Sequence, residues 1–252
     1  MKKCVLVVLL AVAVTAQADL VPNGDFQTIV KPGTLMPATI NDGDYFNINS
    51  QTMHAGGIAT YADGTTGSGI ELPGWVLGAG SNTNADCMQG GAWGGPTGSG
   101  DIAALSFAGW GGPTYIETAA PLAVPALGVS EVLSLSCEVY NNGGPVVLEL
   151  LADGVLVAPT TSSDPALIAS DWVTLARTYS SVPAGVLSVL VGTRDDAGTG
   201  WTGNRVSIDN VTLEGPGAVS TDMLPFAARP ADLNDDKKID FKDFALLADV
   251  FL

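Results

Sequence analysis

Basic charge is scarce in this 252-residue chain, where 10 Lys and Arg face 26 Asp and Glu for a formal net charge of −16. Such a surface repels phosphate backbones and anionic headgroups, which argues against nucleic acid and anionic lipid as partners. Histidine occurs once, as His54, in a stretch without companion Cys or acidic pairs. A zinc site or a Ser-His-Asp triad built on it has little support, and a polar loop histidine is the expected case. No segment beyond the N-terminus is apolar over a membrane-spanning length, so no membrane insertion is expected. No convincing amphipathic helix precedes the last twenty residues. Charged residues are only 14% of the chain, yet 31 glycines stand among many Thr, Ser and Asn. That mixture suits a secreted all-β protein, in which turns demand Gly and strands favour Val and Thr.

The first eighteen residues read as a secretory signal. Lys2 and Lys3 form a basic start, Val5 to Val14 is an unbroken apolar stretch, and Ala16-Gln17-Ala18 supplies a small-x-small cleavage site. Maturation is expected at Asp19, leaving a secreted or cell-surface protein that is still more acidic. Cys4 leaves with the signal. Cys87 and Cys137 remain; in an exported protein they either form one disulfide or stay as two buried small apolar residues.

Residues 19–215 read as one β-rich domain. Strands are expected at Thr114–Thr118, Val132–Tyr140, Val146–Leu151, Val155–Ala158, Trp172–Tyr179, Leu187–Gly192 and Val206–Leu213, each alternating or apolar between turn signals. Ala152-Asp153-Gly154 is a hairpin turn in which Gly154 can take φ > 0. Three short motifs follow in order: Asn23-Gly24-Asp25-Phe26-Gln27, Leu72-Pro73-Gly74-Trp75 and Ser207-Ile208-Asp209-Asn210-Val211. Together they resemble the galactose-binding-like jelly rolls of carbohydrate-binding modules in the family 4/9/22 group. The resemblance implies a jelly-roll β-sandwich whose first and last strands lie side by side. It also implies a structural calcium near the Asp25 carbonyl, Gln27 and Asp209, with Gln27 standing where that family has Glu.

Residues 216–230 carry the Gly and Pro of a linker. Beyond it, Asp232, Asn234, Asp236, Lys238, Asp240 and Asp243 occupy positions 1, 3, 5, 7, 9 and 12 of an EF-hand-type calcium loop, with Ile239 as its apolar pin. The seventh position contributes its carbonyl. Lys237 stands at position 6, where Gly is usual because φ is positive, so weakened but not abolished calcium affinity is expected. The run from Asp232 to Asp249 resembles one repeat of a type I dockerin, the bacterial module that docks secreted proteins onto cohesins. Dockerins normally carry two repeats, and residues 231–252 supply one. Phe241, Phe244, Ala248 and Phe251 recur on one helical face. A lone loop and helix cannot bury that face, so it packs on the sandwich, self-associates or meets a cohesin-like or other protein partner.

Chemistry is thinly represented. Trp93, Trp110 and Trp201 lie in Gly-rich segments, where an indole can stack on a sugar ring or simply pack. Trp75 and Trp172 read as core. Asp42-Gly43-Asp44 and Asp195-Asp196 lack the surroundings of a glycosidase carboxylate pair and read as turn residues. The expectation is a noncatalytic, secreted protein that binds a polysaccharide or glycan and carries a calcium-dependent docking unit. An extracellular structural or adhesive protein without sugar binding is the alternative, and a small polysaccharide-active hydrolase is a third class.

Overall fold

The computed structural model describes residues 18–54, 56–81, 85–90, 102–107, 113–122, 127, 131–141, 145–163, 171–183, 185–193 and 205–215. Residues 1–17 of the signal segment, the linker and the calcium-loop segment lie outside these residues, as do Trp93, Trp110 and Trp201. Every regular element among the described residues is a strand.

The first seven strands are short: β1 (Ala18–Asp19), β2 (Ala38–Thr39), β3 (Tyr45–Asn47), β4 (Thr52–Met53), β5 (Ala59–Tyr61), β6 (Thr66–Gly67) and β7 (Trp75–Leu77). Longer ones follow: β8 (Ala85–Gln89), β9 (Ile102–Phe107), β10 (Thr114–Thr118), β11 (Leu133–Asn141) and β12 (Val146–Ala152). The last five are β13 (Val155–Leu156), β14 (Thr161–Ser163), β15 (Trp172–Tyr179), β16 (Leu187–Thr193) and β17 (Arg205–Gly215).

Two antiparallel sheets form a sandwich. The larger has nine strands in the order β14-β15-β11-β17-β9-β8-β3-β4, with β1 pairing alongside β17. The smaller runs β13-β12-β16-β10-β7, and a separate sheet β2-β5-β6 is formed by the segment between the first two motifs. The core between the layers follows from period-two alternation. On β11, Leu133, Leu135, Cys137 and Val139 point inward. They face Leu148, Leu150, Val189 and Val191 of the other sheet in one continuous cluster.

Strand β17 keeps its apolar residues inward through a bulge. Val206 and Ile208 are core, and so are Val211 and Leu213, a spacing that strict alternation forbids. Between Ser136 and Glu138 the register against β17 slips from Thr212 to Asp209, and Asn210 takes φ 49°. One extra residue in a left-handed conformation restores the inward phase. The expected hairpin at Ala152-Asp153-Gly154 is present, joining β12 to β13. Both Asp153 and Gly154 have positive φ, as a tight two-residue turn requires.

The three sequence motifs meet at one seam. Gly24 accepts the Val211 N–H at 2.9 Å, and a Cβ on Gly24 would overlap the Val211 carbonyl oxygen. Asn23 donates to the Pro73 carbonyl at 3.0 Å, and its own carbonyl accepts the Trp75 indole N–H at 3.0 Å. Phe26 is fully buried against Trp75, with ring centroids 5.2 Å apart. The first strand lies beside the last, Ala18 opposite Gly215. These motifs close the sandwich.

The disulfide between Cys87 and Cys137 is not formed; both are free and buried thiols. Cys87 is on β8 and Cys137 on β11, with β9 and β17 between them. Three interstrand steps are about 14 Å along the sheet, beyond the reach of a disulfide. Burial pushes the Cys87 thiol well above its ordinary range and the Cys137 thiol up to about 12.

Candidate functional site

The outer side of the nine-stranded sheet carries the unusual chemistry. The alternation that sends Leu135, Cys137 and Val139 inward sends Ser136, Glu138 and Tyr140 outward. The same rule places Ser207 and Asp209 of β17, Asp86 and Met88 of β8, and Tyr45 and Asn47 of β3 on this outer face. Pairing aligns them in two rows: Asn47 opposite Asp86, and Tyr140 between Ser207 and Trp172. In the next row Tyr45 is opposite Met88, Met88 opposite Ala103, and Asp209 opposite Glu138.

Met88 and Ala103 form an apolar floor, against which Tyr45 packs from one side and Trp172 from the other. Trp172 belongs to β15, so its ring reaches over β11 and β17 to this floor. It also meets Tyr140, with ring centroids 5.8 Å apart. Trp172 is therefore an outer-face residue, in contrast to the core position expected from its alternating strand. Trp75 does occupy the core.

Four polar residues of this face are nevertheless buried: Asn47, Asp86, Ser207 and Asp209. Asp86 is only 3% exposed. Its Oδ1 accepts Asn47 Nδ2 at 2.9 Å and lies 2.9 Å from His54 Nε2. His54 follows β4, stacks on Tyr45 with centroids 4.4 Å apart at 22°, and keeps 37% of its side chain exposed. Burial raises the Asp86 carboxyl above the usual aspartate range, partly opposed by His54 and by the Asn47 hydrogen bond. Sequence reasoning placed His54 in a polar loop and missed Asp86. The two are 32 positions apart, and only the β3-β4 and β3-β8 pairings bring them together. The available signal was Asp86 itself, a carboxylate inside the otherwise uncharged strand Ala85–Gln89.

The calcium implied by resemblance at the Asp25 carbonyl, Gln27 and Asp209 meets a donor instead of a vacant oxygen cage. Gln27 Nε2 donates to the Asp25 carbonyl at 2.7 Å and to the Ile102 carbonyl at 3.0 Å. Gln27 Oε1 accepts the Ile102 N–H at 3.2 Å. Gln27 thus turns an amide donor toward the Asp25 carbonyl, and the three groups do not form an oxygen cage in this arrangement. Asp209 Oδ1 accepts the Asn210 N–H at 2.7 Å at the bulge. Among the described residues, no group of three or more His, Cys, Asp or Glu is arranged to hold a metal.

Asp42 and Asp44 flank a turn in which Gly43 has φ 84° and donates to the Gln89 carbonyl at 2.7 Å; they do not face each other across a cleft. A cavity of about 240 Å³ on the smaller sheet is lined by Glu117, Asp153, Val186 and Ser188 among others. Its polar groups are already paired, Ser188 to Glu117 and Val186 N–H to Asp153, and no aromatic ring lines it.

Of the three loop tryptophans, Trp93 belongs to the segment joining β8 to β9, where Gln89 pairs with Ile102. Trp110 and Trp201 belong to segments joining strands at the opposite end, where Phe107 pairs with Arg205 and Thr114 with Thr193. Tyr140 and Trp172 lie toward that same end.

No protein-family model matches the chain, and no curated protein matches it. Among solved structures the chain is similar to the CBM22-1 xylan-binding domain of Xyn10C from Paenibacillus barcinonensis. Identity is 15%, coverage is 56% of this chain and 85% of that one, and the TM-score is 0.37.

Proposed function

We propose that this is an exported, noncatalytic carbohydrate-binding protein whose ligand surface is the outer face of the nine-stranded sheet. The carrying observation is the apolar floor of Met88 and Ala103 between Tyr45 and Trp172, set among buried polar groups. A sugar ring offers an apolar C–H face and a rim of hydroxyls. Aromatic rings receive the first, and fixed carboxylate, amide and hydroxyl groups receive the second. Trp93, Trp110 and Trp201 are proposed as further stacking residues, and Trp110 and Trp201 join strands at the Tyr140 and Trp172 end.

The sandwich is proposed to be of jelly-roll type. Residues 231–252 are proposed as a calcium-dependent docking unit, with Asp232, Asn234, Asp236, Asp240 and Asp243 as side-chain ligands and Lys238 through its carbonyl. A cohesin-like protein is the partner that its dockerin resemblance suggests.

The test is a binding screen of residues 19–252 against soluble and insoluble xylan, β-glucan and mannan, with calcium or chelator. Saturable retention with a tryptophan fluorescence change is expected for at least one glycan. Absence of retention on every glycan would move the protein to a structural or adhesive role. In the same preparation, calorimetry should count one calcium fewer for Asp232→Ala than for the parent chain. An unchanged count would remove the C-terminal loop as a calcium site.

A further inference from the structure

The buried pair beneath the exposed ring of His54 is incompletely used by the protein. Both hydrogen bonds to the Asp86 carboxylate, from Asn47 and His54, fall on Oδ1. Among the described residues Oδ2 has no donor, although Asp86 is almost wholly buried. An ionised carboxylate has acceptor oxygens only, so in this contact His54 Nε2 is the donor. In the neutral imidazole so oriented, Nδ1, on the half-exposed side chain, is an acceptor without a partner among the described residues. The ring is held flat against Tyr45, and its backbone N–H is tied to the Tyr45 carbonyl at 3.1 Å. The imidazole is thus an oriented acceptor mounted on an aromatic plate, anchored from below.

We propose that Tyr45, His54 and Asp86 form one sugar subsite, in which His54 Nδ1 accepts a hydroxyl of the ligand and Asp86 acts as the positioning residue. The proposal rests on the reading of the outer face as a glycan surface and names where on that face a hydroxyl is read. The ligand class is a neutral, hydroxyl-donating sugar ring. The described titratable groups packed against His54 are Asp86 from β8 and Tyr45 from β3. Asn47 beside them carries no charge.

Because His54 is the chain's single histidine, its imidazole C–H signals are unambiguous in a proton NMR spectrum. The experiment titrates residues 19–252 with xylan, β-glucan and mannan oligosaccharides, following tryptophan fluorescence and the His54 signals together. The expected result is a saturable shift of the His54 signals with the same midpoint as the fluorescence change. The variant His54→Phe keeps a ring against Tyr45 and removes the acceptor. It should bind about tenfold more weakly, the worth of one hydrogen bond. A fluorescence response with unmoved His54 signals would overturn the subsite and leave the glycan surface standing. No response to any oligosaccharide would overturn both. The parent-chain titration decides between these outcomes even if the variant folds poorly.

Discussion

The two faces of the nine-stranded sheet are built from the same strands but obey different rules. The inner face is Leu133, Leu135, Cys137, Val139, Val206 and Ile208, closed against the second sheet. One residue over, the outer face presents Ser136, Glu138, Tyr140, Ser207 and Asp209, with Asp86 buried on β8. The inner face gains stability from every methylene it removes from water. The outer face holds a carboxylate whose second oxygen has no donor among the described residues, an arrangement that costs stability. A fold keeps such a group for something other than stability, and local conflicts of this kind mark functional surfaces.

The contrast can be broken in four ways, beginning with the largest effect. Leu135→Ala leaves a cavity in the fully buried inner face and should cost about 4 kcal/mol in chemical denaturation. Glycan affinity of the remaining folded protein should be unchanged; an affinity loss would show that the two faces are not separable. Trp172→Ala acts on the other side. It should weaken glycan binding about tenfold, while unfolding loses only about 1 kcal/mol from the ring contact with Tyr140. If its melting point falls as far as that of Leu135→Ala, the ring belongs to the core after all.

Asp86→Asn sharpens the comparison by reversing the usual sign. The Asp86 carboxyl is raised in the folded protein by burial, so the folded state binds the proton more tightly than the unfolded chain. Its contribution is therefore most favourable below the ordinary aspartate value of 3.8. That contribution is lost as pH rises through the raised folded value. The variant should be more stable than the parent by about 1 kcal/mol at neutral pH, with the gap closing on acidification. A variant less stable at neutral pH would mean that His54 and Asn47 fully compensate the buried charge. The smallest effect concerns the thiols. A reducing agent should leave the melting temperature unchanged. Cys87 and Cys137 should resist alkylation in the native protein and both react after denaturation, because burial disfavours the thiolate at each. A reductant-sensitive melting point would restore the disulfide.

Much of the sandwich was legible because period-two alternation survives in the longest strands. The Leu-Ser-Leu-Ser-Cys-Glu-Val-Tyr run of β11 reads directly as one apolar and one polar face, and Trp172–Tyr179 and Thr114–Thr118 match their expected bounds. Strands β8 and β9 escaped notice. Ala85–Gln89 and Ile102–Phe107 are short, carry small residues, and lie next to Gly-rich stretches that read as loop. The bulge at Asn210 was also hidden, since Asp-Asn before Val-Thr-Leu reads equally as polar outward positions or as a turn. Trp172 was misassigned for a related reason: alternation tells which residues share a face, but not which face is covered.

Sequence alone determined the all-β class, the acidic and cation-poor character and the hairpin at Asp153-Gly154. Those follow from composition and local backbone preference, which act over a few residues. Tertiary structure decided that Cys87 and Cys137 stand three strands apart and that the Gln27 amide ties Asp25 to Ile102. It also decided that His54 meets Asp86. Each depends on strand order, which brings together residues tens of positions apart through long-range pairing that no local spacing encodes.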